Sequence, residues 1–167
     1  MRSVLWTSIA LMLLGSFNAW SAVQPLELKV KDEVLRAKAI GDGMTLVLPE
    51  FLVFTQTGTA VFHDNGFNEL FVSSVERAMK SAAPIENALG LREVLAEVVA
   101  MDGSPLSLDI DEKYEFVFVE YWADWCAPCH KQKEAIAQFL ADRKDAKILW
   151  LYIRRDPALL PEVTVRN

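Results

Sequence analysis

The sequence predicts an α/β fold organised around a parallel strand–helix–strand unit, and three observations predict it. First, Phe116-Val-Phe-Val-Glu-Tyr-Trp122 and Ile148-Leu-Trp-Leu-Tyr-Ile153 are short, continuous apolar runs, the pattern of strands buried on both faces. Second, the stretch between them places Ile136, Phe139 and Leu140 on one helical face. Two buried runs joined by one helix make a right-handed crossover with parallel strands. Third, an upstream pair of apolar segments reads as a hairpin followed by a helix, which adds antiparallel strands to the parallel ones.

Taken in order, the elements begin with a leader. Arg2 supplies a positive start, Val4 to Leu14 is apolar and uncharged, and Ala19-Trp-Ser21 or Ala22 fits a small-residue cleavage site. Residues 1–21 therefore read as a secretory signal peptide, which implies a periplasmic protein. An uncleaved inner-membrane anchor is the alternative, although the apolar stretch is short against the roughly 20 residues a span needs. Leu26-Glu-Leu-Lys-Val-Lys31 alternates as a half-buried edge strand does, and Gly41-Asp-Gly43 marks a turn, so residues 22–45 read as a strand and linker. Leu46 to Phe54, a turn at Gln56-Thr-Gly58, and Thr59 to His63 form the hairpin, which Asp64-Asn-Gly66 ends. Phe67, Phe71, Val75, Ala78 and Met79 recur at helical spacing, predicting a helix over 68–82 capped by Asn68 and stopped before Pro84. Ile85 to Val99 permits a broken helix, while Val98 to Leu108 permits a small hairpin around Asp102-Gly103. The helix after the second cysteine is expected over 131–143.

Charge excludes one class of partner. The whole chain carries a formal −6, and removal of residues 1–21 deletes Arg2 and no acid, so the remainder is more acidic still. Nucleic acid is not an expected ligand. No Ser-His-Asp arrangement, phosphate-binding glycine loop or carboxylate pair stands out, and hydrolase readings have nothing to rest on.

The only two cysteines, Cys126 and Cys129, lie two residues apart at the junction of the first buried strand and the helix. Free backbone N–H groups and the positive end of the helix dipole stabilise a thiolate at the first position, while the second waits one turn away to close a disulfide. Cys126 is then the nucleophile and Cys129 the resolving thiol. A purely structural bridge is a poorer reading, because so short a loop restrains the unfolded chain little.

The segment Phe118-Val-Glu-Tyr-Trp-Ala-Asp-Trp-Cys-Ala-Pro-Cys129 resembles the active-site segment of the thioredoxin superfamily, and with the leader it is similar to the exported TlpA, ResA and DsbE-type reductases. The resemblance implies a mixed sheet flanked by helices. It implies further that Trp125 flanks the nucleophile, that Pro128 sits inside the redox loop, and that Trp122 packs beneath it. Glu120 falls where that family often keeps a buried carboxylate that moves protons to and from the second thiol. Physical reasoning agrees, since a lone Glu in an apolar strand is costly to ionise and its raised pKa suits a proton relay. A Glu at the strand end facing solvent is the alternative.

The order of elements departs from the family. A usual thioredoxin follows its strand–helix–strand unit with a helix, a cis-proline, a hairpin and a closing helix. Here such a half is expected ahead of the cysteines, in residues 46–83, with the redox half in 98–167 of a domain spanning 46–167. The expectation is a circularly permuted fold in which Pro49 is the cis-proline facing Cys126 and Cys129. The alternative is that residues 26–82 form an unrelated extension. The resemblance also implies client protein disulfides as substrates, no cofactor or metal, a reducing direction suggested by Ala127-Pro128, and a membrane thiol reductase of DsbD or CcdA type as electron donor.

Other readings use the same residues. Cys126-Ala-Pro-Cys129-His130 spells a covalent haem attachment motif, with His63 or Met101 as a second axial ligand. Cys126, Cys129, His130 and His63 also make a possible zinc set. The flanking apolar strands and Trp125 favour the dithiol over both. A binding or chaperone-like module with a static disulfide is the reading from another class. Lys131, Lys133, Arg143, Lys144, Arg154 and Arg155 read as solvated faces.

Overall fold

A computed structural model describes residues 23–41, 47–108, 110, 113–143 and 145–156. The expected leader, the turn at Gly43 and the segment after Asp156 lie outside the described residues. The architecture is α/β: a six-stranded mixed sheet with helices on both faces. Its elements are β1 (Leu26–Val30), α1 (Asp32–Gly41), β2 (Glu50–Thr55), β3 (Ala60–Asn65), α2 (Phe71–Ser81), α3 (Leu91–Ala96), β4 (Val98–Ala100), β5 (Phe116–Trp122), α4 (Ala127–Ala141) and β6 (Ile148–Arg154). The strand order is β3-β2-β5-β6-β1-β4.

The predicted crossover is present: β5 and β6 run parallel, with Phe116 opposite Ile148 and Trp122 opposite Arg154, and α4 connects them. The hairpin joins the same sheet, because β2 pairs antiparallel with β3 on one side and with β5 on the other. Alternation sorts the side chains of β2, β5 and β6 into two cores. On one face Phe51, Val53, Phe118, Trp150 and Tyr152 pack with Phe71 and Val75 of α2 and with Ile136, Phe139 and Leu140 of α4. On the other, Leu52, Phe54, Val117, Val119, Tyr121, Leu149, Leu151 and Ile153 pack with Leu35 of α1 and with Leu91 and Val94 of α3. Phe51 meets Phe71 and Phe118 edge to face at 5.0 and 5.4 Å. Each such ring contact adds about 0.5–1.5 kcal/mol beyond its buried area, so the hairpin is bound firmly to the crossover.

Several boundaries differ from the sequence reading. The segment after β1, expected as a linker, holds the ten-residue helix α1. Over residues 32–38, whose burial is described, Leu35 is the one fully buried side chain, so the apolar stripe there gives little period to read, and Asp32 and Glu33 at the start of the helix with Lys38 near its end suit the dipole instead. Lys38 ties it to Glu97 at 2.6 Å. β1 is not the edge: it lies between β6, to which it is parallel, and the three-residue β4. Because β4 covers only Leu28 to Val30, Leu26 and Glu27 remain exposed and the alternation mimics an edge. The ambiguous middle resolves into parts of both alternatives, since α3 is a short helix, and β4 leads into a tight turn with Gly103 at φ 89° but takes β1 as its partner. α2 starts at Phe71, two N–H groups ahead of it being held by Asn68: its side chain accepts from Leu70 and its carbonyl from Phe71. α4 starts at Ala127, four residues before the expected Lys131, because Pro128 fits the first turn of a helix.

Candidate functional site

The site forms at the carboxyl ends of the parallel strands, the place where α/β sheets present their loops to ligands. β5 ends at Trp122, the buried Ala123 follows, and its carbonyl accepts the Cys126 N–H at 3.0 Å in a tight turn. Cys126 caps α4: its Sγ accepts the Cys129 N–H at 3.2 Å. The two cysteines form a disulfide with their Cα atoms 5.3 Å apart. Both are sheltered, Cys126 at 3% exposure and Cys129 at 0%. Ala123, Leu48 and Trp122 pack around them.

The hairpin approaches from the other side. Pro49 is buried and follows a cis peptide bond after Leu48, and its carbonyl accepts the Gly66 N–H at 2.6 Å, which closes the open end of the hairpin. In the β2–β5 register Glu50 lies opposite Tyr121, so the residues just before β2 are delivered to the loop after β5. It is Leu48 that packs on the cysteine cluster.

Trp125 stands out from the surface with 58% of its area exposed, its indole N–H donating to Asp156 at 3.3 Å. Pro128 is also exposed and, with Ala127, Phe67, Asn68, Glu69 and Lys131, lines a shallow cavity of about 300 Å³. The ring and the cavity offer an apolar surface on either side of the disulfide loop.

Glu120 is completely buried in the middle of the sheet, and neither carboxylate oxygen has a hydrogen-bond partner. Its pKa is raised to about 8: burial disfavours the charged form and outweighs the opposite pull of the Trp150 indole and Lys133. The Trp150 N–H falls short of a well-formed hydrogen bond, and it too lacks a partner. A carboxyl group tuned to about 8 lies close to the roughly 8.5 of an ordinary thiol, the match that proton exchange between two such groups calls for.

The basic pair at the end of β6 is not a solvated face. Arg155 is largely buried, its guanidinium pairs with Glu50 and lies 4.2 Å from the centre of the Tyr121 ring, while its backbone N–H donates to the Trp122 carbonyl at 2.7 Å. Arg154 pairs with Asp124 in the loop that leads to the cysteines. His63 reaches Glu50 at 3.0 Å. These contacts lock the hairpin and the strand ends around the disulfide, and adjacent charges in sequence gave no sign of it. Lys133, also expected in solvent, lies 4.1 Å over the ring of Tyr152.

The residues of the alternative cofactor sets are dispersed or engaged. His63 sits on β3 against Glu50, Met101 lies in the turn after β4, and His130 is exposed on α4. Among the described residues no three His, Cys, Asp or Glu side chains form a cluster that could hold a metal ion. Among the described residues, too, no helix is long and apolar enough to cross a membrane. Compared with known proteins, the chain matches no protein-family model, no curated protein and no solved structure.

Proposed function

We propose that the chain is a periplasmic thiol-disulfide oxidoreductase with a thioredoxin-like fold, and that it reduces protein disulfides through Cys126 and Cys129. The observation that carries this reading is the disulfide at the start of α4, together with a buried Glu120 without a hydrogen-bond partner on the strand that leads to it. In the reduced protein the Cys126 thiolate attacks one sulfur of a client disulfide, forming a mixed disulfide and releasing a client thiolate, which takes up a proton. Cys129 then gives its proton to Glu120 and attacks Cys126 Sγ, releasing the second client thiolate. The client gains two electrons and this chain is left as the Cys126–Cys129 disulfide. A membrane thiol reductase of DsbD or CcdA type returns the two electrons.

The permuted arrangement belongs to the same proposal. Ahead of the crossover lie, in order, the helix α1, the cis Leu48–Pro49 bond, the β2–β3 hairpin and the helix α2, which is the order that follows the crossover in a usual thioredoxin. In this reading Trp125 and Pro128 form the exposed, client-facing surface, and the buried Pro49 contributes to the substrate site as the proline ahead of the hairpin. A static disulfide in a client-binding module is the second reading, favoured by the near-complete burial of both sulfurs' residues.

Insulin reduction by dithiothreitol or by a thiol reductase, with the exported chain present at catalytic concentration, separates the two. Acceleration that disappears in Cys126→Ser is the expected outcome. No acceleration, together with a Cys126–Cys129 bond that resists reduction in a glutathione titration, supports the static module instead.

A further inference from the structure

The strand registers put three side chains in one row. Glu27 of β1 lies opposite Tyr152 of β6, and Tyr152 lies opposite Glu120 of β5. Neighbouring strands are about 4.8 Å apart and facing partners share a face, so the row runs from the exposed Glu27 to the buried Glu120 with the tyrosine ring between. Lys133 of α4 closes the row from above. Its Nζ is 3.6 Å from Glu27 Oε1 and 4.1 Å from the Tyr152 ring centre. Trp122 stacks on the same ring at 4.6 Å with the planes 9° apart, so the tyrosine has one settled position.

We propose that Lys133 is a positioning residue that governs when Glu120 carries its proton, and that Glu27 sets how strongly by drawing the ammonium toward β1. This rests on the proton-relay role of Glu120 in the reading above. The groups facing Glu120 leave few other candidates. Trp150 and Tyr152 from β6 and Phe51 from β2 carry no charge near neutrality, and burial together with Glu120, Glu27 and Asp124 holds the Tyr152 hydroxyl in its neutral form. From α4, Gln132 is buried and uncharged, its amide N–H donating to the Gly66 carbonyl. Lys133 is the cation that acts on the carboxylate, and it opposes the effect of burial. The ammonium is partly exposed and tethered to an exposed acid, so its reach into the sheet is adjustable by single changes at the surface.

The test is a titration of the Glu120 side-chain carboxyl by carbon NMR in the full chain with its disulfide intact, which needs no redox turnover. Lys133→Gln should raise the midpoint by about half a pH unit or more, because the charge that favours the carboxylate is gone. Lys133→Arg should restore most of the shift. Glu27→Gln should move the midpoint the opposite way, downward and by less, since it removes a repulsive charge and frees the ammonium. An unmoved midpoint in Lys133→Gln, or shifts of the same sign in Lys133→Gln and Glu27→Gln, overturns the proposal. The pH-rate profile of insulin reduction should follow the same shifts. Opposed shifts in a chain that does not reduce insulin uphold the charge row and remove the reductase reading, whereas an active reductase with an unmoved midpoint does the reverse.

Discussion

The two faces of β5 differ sharply in chemistry. Val117, Val119 and Tyr121 meet α1 and α3 through a conventional apolar core. Phe118, Glu120 and Trp122 face α2 and α4, and in the middle of that face sits a carboxyl group with no partner. Burying a charge unpaired costs several kcal/mol, which the group reduces by holding a proton. A face built only for stability would carry an apolar residue there. The difference teaches that the α4 side of the sheet carries a destabilising group where the opposite side does not, which fits the proton-relay role proposed for Glu120.

The largest effect expected from breaking this comparison is at the cysteines themselves. Cys126→Ser should abolish insulin reduction, and Cys129→Ser should keep the attacking thiol but lose resolution, so that mixed disulfides with clients accumulate on non-reducing gels. Identical gels from both variants would count against a nucleophilic Cys126. Alkylation of the reduced protein across pH should label Cys126 first, with an apparent pKa below the roughly 8.5 of a free thiol.

Next in size is Glu120→Gln, which should slow exchange by about 10²-fold and flatten its pH profile. The same substitution has a stability signature of definite sign. A carboxyl whose pKa rises from 4.5 to about 8 on folding binds more protons folded than unfolded between those values. Its favourable contribution is therefore complete below the unfolded value and is lost as pH rises toward the folded one. Wild type should lose a few kcal/mol over that window relative to Glu120→Gln in urea melts. Parallel stability curves for the two proteins would mean that the carboxyl reaches water.

On the opposite face, Val119→Ala should cost about 2 kcal/mol in urea unfolding and leave the pH profile of exchange unchanged. A shifted profile would show that the two faces are coupled through the strand. The smallest effect is expected at the rim, where Trp125→Ala should change stability by no more than about 0.5 kcal/mol and raise KM for a protein disulfide a few-fold with kcat less affected.

The sequence made some of this legible and hid the rest for identifiable reasons. Continuous apolar runs announced β5 and β6, and the glycine turn between apolar segments announced β2 and β3, because strand burial and turn chemistry are local signals. The cysteine pair and the burial of Glu120 were equally readable, since each depends on immediate neighbours in the chain. α1 was hidden by the sparse apolar pattern of residues 32–38, where Leu35 is the one buried side chain, and the interior position of β1 by the shortness of β4. Arg155 with Glu50, and Glu27 with Tyr152 and Lys133, are contacts between distant segments, and no local pattern distinguishes such charges from solvated ones. Which segment of the chain supplies the wall beside the cysteines was readable in outline: the region around Pro49 was expected there, and its neighbour Leu48 packs on the cysteine cluster.

The strand order also has a kinetic consequence. Among the described residues β1 is the first strand yet is held between β4 and β6, and β6 is the last strand to appear. Until Ile148 to Arg154 is available, Leu28 and Val30 have no parallel partner and only the three-residue β4 on their other side. Closing so long a loop is entropically slow, and its reward comes only at the end. The hairpin and β5 can assemble early, but the first strand waits for the last. A chain with this topology should leave β1 without its parallel partner until β6 has been made, and then close the sheet around β1 in one late step.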